Sequence, residues 1–138
     1  MSFLLDTCVL SESTKPTPSD KVLRWLETQR EDDLFISAIT LAELWKGIAV
    51  LGKSKRRQNL EEFFKETVNT FAGRVIPVEQ QVAVAWGNIL NKMEKNGRSI
   101  PILDGFLVAT AVAHELIFVT RNFSDFARTG IPIVNPWE

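Results

Sequence analysis

Four acids stand where a carboxylate could meet a ligand: Asp6, Glu43, Asp104 and Asp125. Asp6 ends the apolar run Phe3-Leu4-Leu5, and Glu43 lies shortly after Leu34-Phe35-Ile36-Ser37. Asp104 opens a stretch rich in small residues that runs on to His114. Asp125 follows Leu116-Ile117-Phe118-Val119-Thr120 across the short segment Arg121-Asn122-Phe123-Ser124. Only a fold can bring four such distant side chains together. With one cysteine, Cys8, and one histidine, His114, a closed zinc site is disfavoured. Converging carboxylates instead make a hard oxygen site suited to Mg²⁺ or Mn²⁺. Crowded carboxylates repel one another, and a divalent cation cancels that repulsion. Such a cation lowers the pKa of a water and delivers hydroxide to phosphorus, and a second cation would stabilise the leaving oxygen. Neither a protein nucleophile nor His114 as a base is then required.

Each acid also has a purely structural explanation. Asp6 could cap the turn after a strand. Glu43 follows Thr40 by three, the spacing of a capping box. Asp104 could be the N-cap of its helix, and Asp125 one acid in a polar loop. The catalytic reading rests on the four at one end of one sheet.

The elements around them supply that placement. Phe3-Leu4-Leu5, Leu34 to Ser37 and Leu116 to Thr120 read as buried strands, with Val75 to Val78 and Pro132 to Asn135 as weaker ones. Pro77 points to a sheet edge. Apolar residues at helical spacing fill the intervals: Val22 to Leu26, Leu41 to Ile48, Leu60 to Phe71, Val82 to Met93 and Phe106 to His114. Thr17 and Pro18 suggest the N-cap and first residue of the first of these helices, and Gly97 a C-cap. Strands separated by helices predict right-handed crossovers and an α/β fold, with a mainly parallel central sheet flanked by helices on both faces. The ligand site of such a sheet lies beyond the carboxyl ends of its strands, where all four acids fall.

With 138 residues, 45% hydrophobic and 24% charged, the chain is expected to form a single globular domain over 1–138. A formal net charge of −1 excludes a generally basic nucleic-acid binder, so any such contact must be local. One cysteine excludes an internal disulfide and suits a reducing compartment. The first residues carry no basic, apolar leader, and no window approaches a membrane span. A cytoplasmic location with no membrane partner is expected.

The residues also resemble a known family. Leu4-Leu5-Asp6-Thr7-Cys8-Val9-Leu10-Ser11-Glu12 is similar to the opening motif of bacterial PIN-domain toxins of the VapC/FitB-like type. Ile39 to Ile48 resembles the second motif, which carries its glutamate, and Asp104 to Ala111 the third. Val119 to Phe126 resembles the fourth, and Gly130 to Trp137 the usual ending. The resemblance spans essentially the whole chain, in order. It implies a PIN-like three-layer fold and a divalent-metal-dependent endoribonuclease, the toxin of a toxin–antitoxin pair. It implies catalytic and metal-holding roles for Asp6, Glu43 and Asp104, with Asp125 matching a more variable fourth acid that acts through water. Thr120 and Asn122, with Thr7 beside Asp6, match supporting positions. A homodimer is implied, as is a small antitoxin (VapB/FitA-like) that blocks the site and binds operator DNA. Two departures stand out: Cys8 replaces a common Asn, and Gly105-Phe106 replaces a small or aliphatic pair, with Gly105 expected to loosen its helix slightly.

Other features divide between function and packing. Lys46, Lys53, Lys55, Arg56 and Arg57 form a basic cluster that could grip an RNA backbone or simply solvate a helix start. Within it Lys46 and Arg56, together with Arg121 in the fourth motif, are the candidate RNA contacts. Trp25, Trp45 and Trp86 are expected in the core, with Trp25 or Trp45 an alternative interface anchor. Competing enzyme classes fit poorly. A haloacid-dehalogenase-type phosphatase needs a second Asp where Cys8 stands. A dinucleotide-binding domain needs glycines after the first strand. A phosphate receiver needs early paired acids and a lysine where Arg121 and Asn122 stand. The remaining alternatives are a catalytically inactive PIN-like binding module and a DNA nuclease using the same acids.

Overall fold

A computed structural model describes residues 1–138. Five strands form one sheet: β1 (Phe3–Leu5), β2 (Leu34–Ser37), β3 (Val75–Ile76), β4 (Ile117–Val119) and β5 (Ile133–Val134). Their order is β3-β2-β1-β4-β5, and every neighbouring pair is parallel. The expectation of a mainly parallel sheet is therefore met in full. Seven helices connect the strands: α1 (Thr7–Ser11), α2 (Asp20–Thr28), α3 (Ala38–Ala49), α4 (Lys55–Thr70), α5 (Gln80–Lys95), α6 (Ile102–Ala113) and α7 (Phe123–Ala127). No helix is long and apolar enough to cross a membrane.

The central strand shows how the layers form. Successive side chains of a strand point to opposite faces. Phe3 and Leu5 pack on one face with Val9, Val22, Ile36 and Phe71, which come from α1, α2, β2 and the end of α4. Leu4 packs on the other face with Leu107, Val108, Ala111, Phe118 and Phe126. All three β1 residues are buried, so the strand is apolar throughout rather than alternating. Phe118 meets Phe126 edge to face at 4.7 Å between ring centroids, tying α7 to β4.

Several local expectations change. The N-cap of α2 is Ser19, whose hydroxyl accepts the Val22 N–H at 3.4 Å, and not Thr17. Ser19 is held at that place because buried Glu12 accepts its backbone N–H at 2.8 Å. Asp125 lies in the first turn of α7, a short helix, and not in a loop. β3 does lie at the sheet edge, ending just before Pro77. Gly97, at φ 69°, follows the last residue of α5 and its cap Asn96, as a left-handed stop.

Candidate active site

The parallel sheet brings the ends of β1, β2 and β4 to one edge, and four helices begin there. Asp6 follows β1 directly. Its backbone N–H continues the ladder by donating to the Val119 carbonyl at 2.9 Å, placing its side chain beside the end of β4. The residue is 7% exposed. Its Oδ1 accepts the Thr7 N–H at 2.8 Å, which caps α1. Its Oδ2 accepts the Thr120 hydroxyl at 2.8 Å and faces the Cys8 thiol at 3.7 Å. The capping explanation for Asp6 thus holds for one oxygen; the second is gripped by a residue 114 positions away.

Glu43 sits in the second turn of α3, whose N-cap is Ser37, bonded to the Ile39 N–H at 3.0 Å. The Thr40–Glu43 capping box therefore does not form, and Thr40 is buried with its hydroxyl unpartnered. Glu43 Oε1 instead accepts the Thr7 hydroxyl at 2.9 Å. Thr7 so joins two acids, donating its N–H to Asp6 and its O–H to Glu43. Asp104 is the third residue of α6, whose cap is Pro101 with no side-chain bond, so Asp104 is not the N-cap. Asp125 is exposed at the start of α7.

The acids influence one another's ionisation. Burial pushes the Asp6 carboxyl above its ordinary range, against the lowering effect of its bonds from Thr120, Thr7 and Cys8. Glu43 is raised by burial and by the charges of Asp6 and Asp104, with the Thr7 bond opposing. Asp104 is raised by burial and by the charges of Asp6 and Asp125. None of the four belongs to any of the chain's ion pairs. As placed here, no three of them stand close enough together to hold a metal ion, so the fit to a cation rests on the chemistry of the donors. The set is an uncompensated, partly buried cluster of oxygen donors. Such a set fits a hard divalent cation and offers no histidine or thiolate for a softer one. Burial and the Asp6 charge also push the Cys8 thiol up, keeping it protonated.

The remaining expected residues divide. Thr120 is fully buried and accepts the Asn122 N–H at 3.1 Å while donating to Asp6. Asn122 thus touches the site through its backbone, and its side-chain amide makes no hydrogen bond. Arg121 is exposed and lies over the Trp137 ring at 5.4 Å. Lys46 is exposed on α3 and Arg56 on α4. Arg57 is occupied, donating to Glu61 at 2.8 Å and to the Leu51 carbonyl at 2.5 Å. Trp25 is half-buried and packs against the core, edge to face with Phe3 at 5.1 Å, whereas Trp45 is 42% exposed beside Phe64.

Two positions were quoted in the sequence motifs without the roles they have here. Glu12 is buried, and its carboxyl is held below the usual range by the Lys15 bond first and then by the Ser19 N–H. Gly105 faces the Trp86 indole, where an added Cβ would stand 3.0 Å from Trp86 Nε1 and 3.0 Å from Leu90 Cδ1. The Glu12–Lys15 pair has the local i,i+3 spacing, whereas no spacing in the sequence signals the bond to Ser19 or the approach of Gly105 to Trp86.

A parallel five-stranded sheet with carboxylates gathered at its carboxyl edge is the arrangement of a PIN domain, and the PIN-domain family profile matches residues 3–132. The chain belongs to the PIN-domain family. It is 36% identical to Toxin FitB of Neisseria gonorrhoeae over 136 residues, covering 98% of each chain. It is 38% identical to VapC ribonuclease Y4jK of Sinorhizobium fredii over 136 residues, covering 98% of this chain and 97% of that one. Among solved structures it is similar to FitAB bound to an IR36 DNA fragment, with a TM-score of 0.92, 34% identity, and coverage of 99% of this chain and 96% of that one. The resemblance drawn from the motifs is thereby borne out at the level of family and fold.

Proposed function

We propose that this protein is the toxin of a toxin–antitoxin pair and a divalent-metal-dependent endoribonuclease. One observation carries the reading: Asp6, Glu43 and Asp104 stand at one edge of the sheet with no cationic side chain paired to them, each raised by burial, Glu43 also by the charges of Asp6 and Asp104, and Asp104 also by those of Asp6 and Asp125. A protein tolerates such a cluster where a ligand cation uses it. Asp6, Glu43 and Asp104 would hold Mg²⁺ or Mn²⁺, and Asp125 would act from the rim through water. When bound, the cation supplies an activated water and neutralises charge on the phosphodiester. The chain's own part is positioning. Thr7 spaces Asp6 from Glu43, and Thr120 fixes the rotamer of Asp6 and keeps it ionised more readily.

The relatives' names support the choice of RNA and the toxin role. The complex of FitAB with DNA supports a cognate antitoxin as partner, with operator binding through it. A homodimer suits the exposed apolar residues Val84, Ile102, Leu103 and Phe123. The free cysteine suits a cytoplasmic setting.

The test is cleavage of total RNA by purified wild type, Asp6→Asn and Asp104→Asn, each in Mg²⁺, Mn²⁺ and EDTA. Discrete fragments from the wild type, lost with EDTA and slowed by orders of magnitude in both folded variants, are the expected result. Equal cleavage by all three proteins would reject these acids as the site. No cleavage by a folded, metal-binding wild type would favour the binding-module alternative.

A further inference from the structure

The acids at one edge of the sheet are matched by a cluster of cations toward the other. Helix α6 carries Asp104 in its first turn and ends just before β4, so Val112 lies eight residues, or about 12 Å of helix, from Asp104. There the ends of α5 and α6 and the turn after α7 enclose a cavity of about 290 Å³. Lys92, Arg98 and Arg128 line it, and no carboxylate does. None of the three belongs to an ion pair. Nor are they needed to close the helix ends, a usual task of cations there. The Lys92 carbonyl accepts the Asn96 side-chain amide at 3.0 Å, the Met93 carbonyl accepts the Asn96 and Arg98 N–H groups, and the Glu94 carbonyl accepts the Gly97 N–H. At the end of α7 the Phe126 carbonyl accepts the Thr129 N–H and hydroxyl, and the Ala127 carbonyl accepts the Gly130 N–H. Three like charges around one cavity repel one another until an anion joins them. The guanidinium forks of Arg98 and Arg128 match phosphate oxygens two at a time, and the Lys92 ammonium adds a point charge. Ile89, Met93 and Val112 give the same cavity an apolar wall, against which an aromatic base can lie. The volume stands at the lower end of small-molecule pockets.

We infer that this cavity binds a compact polyphosphate, the anion of a nucleoside triphosphate or of an inorganic phosphate chain. Arg98 and Arg128 clamp the phosphates, Lys92 balances further charge, and the apolar wall takes a base where the ligand carries one. The site is separate from the carboxylates and does not depend on the ribonuclease reading.

The experiment titrates the full chain with sodium tripolyphosphate, ATP and adenosine by calorimetry. EDTA is present throughout, so that no metal can carry a phosphate to the acids. The variants are Arg98→Gln, Arg128→Gln and Lys95→Gln. Each removes one positive charge, but Lys95, exposed in the same last turn of α5, does not line the cavity. Tripolyphosphate and ATP are expected to bind one to one and to weaken as salt rises, with adenosine far weaker than either. Losing one charge-assisted clamp should weaken both anions on the order of tenfold in Arg98→Gln and in Arg128→Gln. Lys95→Gln should stay close to the wild type. Melting without ligand should be unchanged in all three variants, because the replaced side chains are exposed and outside every ion pair. ATP binding tighter than tripolyphosphate would identify a nucleotide as the ligand, and equal affinity the phosphate chain alone. If neither anion binds, if binding survives both arginine substitutions, or if Lys95→Gln loses as much, the inference is overturned. It is overturned equally if the arginine substitutions weaken only a single-stranded RNA, which would make this face a nucleic-acid contact.

Discussion

Replacing Thr120 by valine removes a hydroxyl and little else, which makes it a sharp probe of how the site is held. Thr120 is 0% exposed, and its hydroxyl donates to Asp6 Oδ2 at 2.8 Å while accepting the Asn122 N–H at 3.1 Å. A buried hydrogen bond to a charged acceptor contributes about 1.5–3 kcal/mol. Asn122 is exposed, so its freed N–H can turn to water and adds little. Thr120→Val should therefore destabilise the protein by about 2 kcal/mol, a fall in Tm of roughly 5–10 °C for a chain of this size. A second effect follows from electrostatics. Burial raises the Asp6 carboxyl, and the Thr120 bond is the strongest influence holding it down. Without that bond Asp6 takes up a proton at higher pH. Protons compete with a metal for a carboxylate, so the acid limb of the activity profile should move to higher pH. Thr120→Ser keeps the hydroxyl and should largely restore both. The assays are thermal melting without metal and kcat/KM against pH with Mn²⁺. A Thr120→Val protein with wild-type melting and an unmoved acid limb would refute the account of how Asp6 is positioned.

The raised carboxyls also make a prediction about stability. Asp6, Glu43 and Asp104 bind protons more tightly folded than unfolded, so metal-free stability should fall as pH rises above about 4. Asp104→Asn should flatten that fall and melt higher than wild type at neutral pH in EDTA, while losing activity; a lower melting point would contradict the repulsion argument. Gly105→Ala should gain up to about 1 kcal/mol of helix propensity but crowd the Trp86 indole and Leu90, each at 3.0 Å. With overpacking costing about 1–3 kcal/mol, the net effect should be destabilising by about 1 kcal/mol, and a rise in Tm would show that α5 yields freely.

Much of the fold was legible because its signals are local. Phe3-Leu4-Leu5 is apolar at every position, as a strand buried on both faces must be, and the chain turns to polar at Asp6 where that burial ends. Helical spacing located α3 to α6, and the alternation of strands with helices implied a parallel sheet whose carboxyl edge collects the acids. Family motifs then marked the same residues. Features that depend on an unrelated element were not legible. Thr17 and Ser19 are both acceptable caps, and buried Glu12 decides for Ser19 by taking its N–H. Thr40 and Glu43 have capping-box spacing, yet Ser37 caps the helix and Thr7, 36 positions away, claims the glutamate. Arg56 and Arg57 are adjacent and alike in sequence, but Glu61 and the Leu51 carbonyl occupy only Arg57. Side-chain type and periodicity thus determined which residues could bear chemistry and at which end of the sheet. Tertiary structure decided which oxygens are gripped, which charges remain uncompensated and which cation stays free, because those depend on partners that no local pattern encodes.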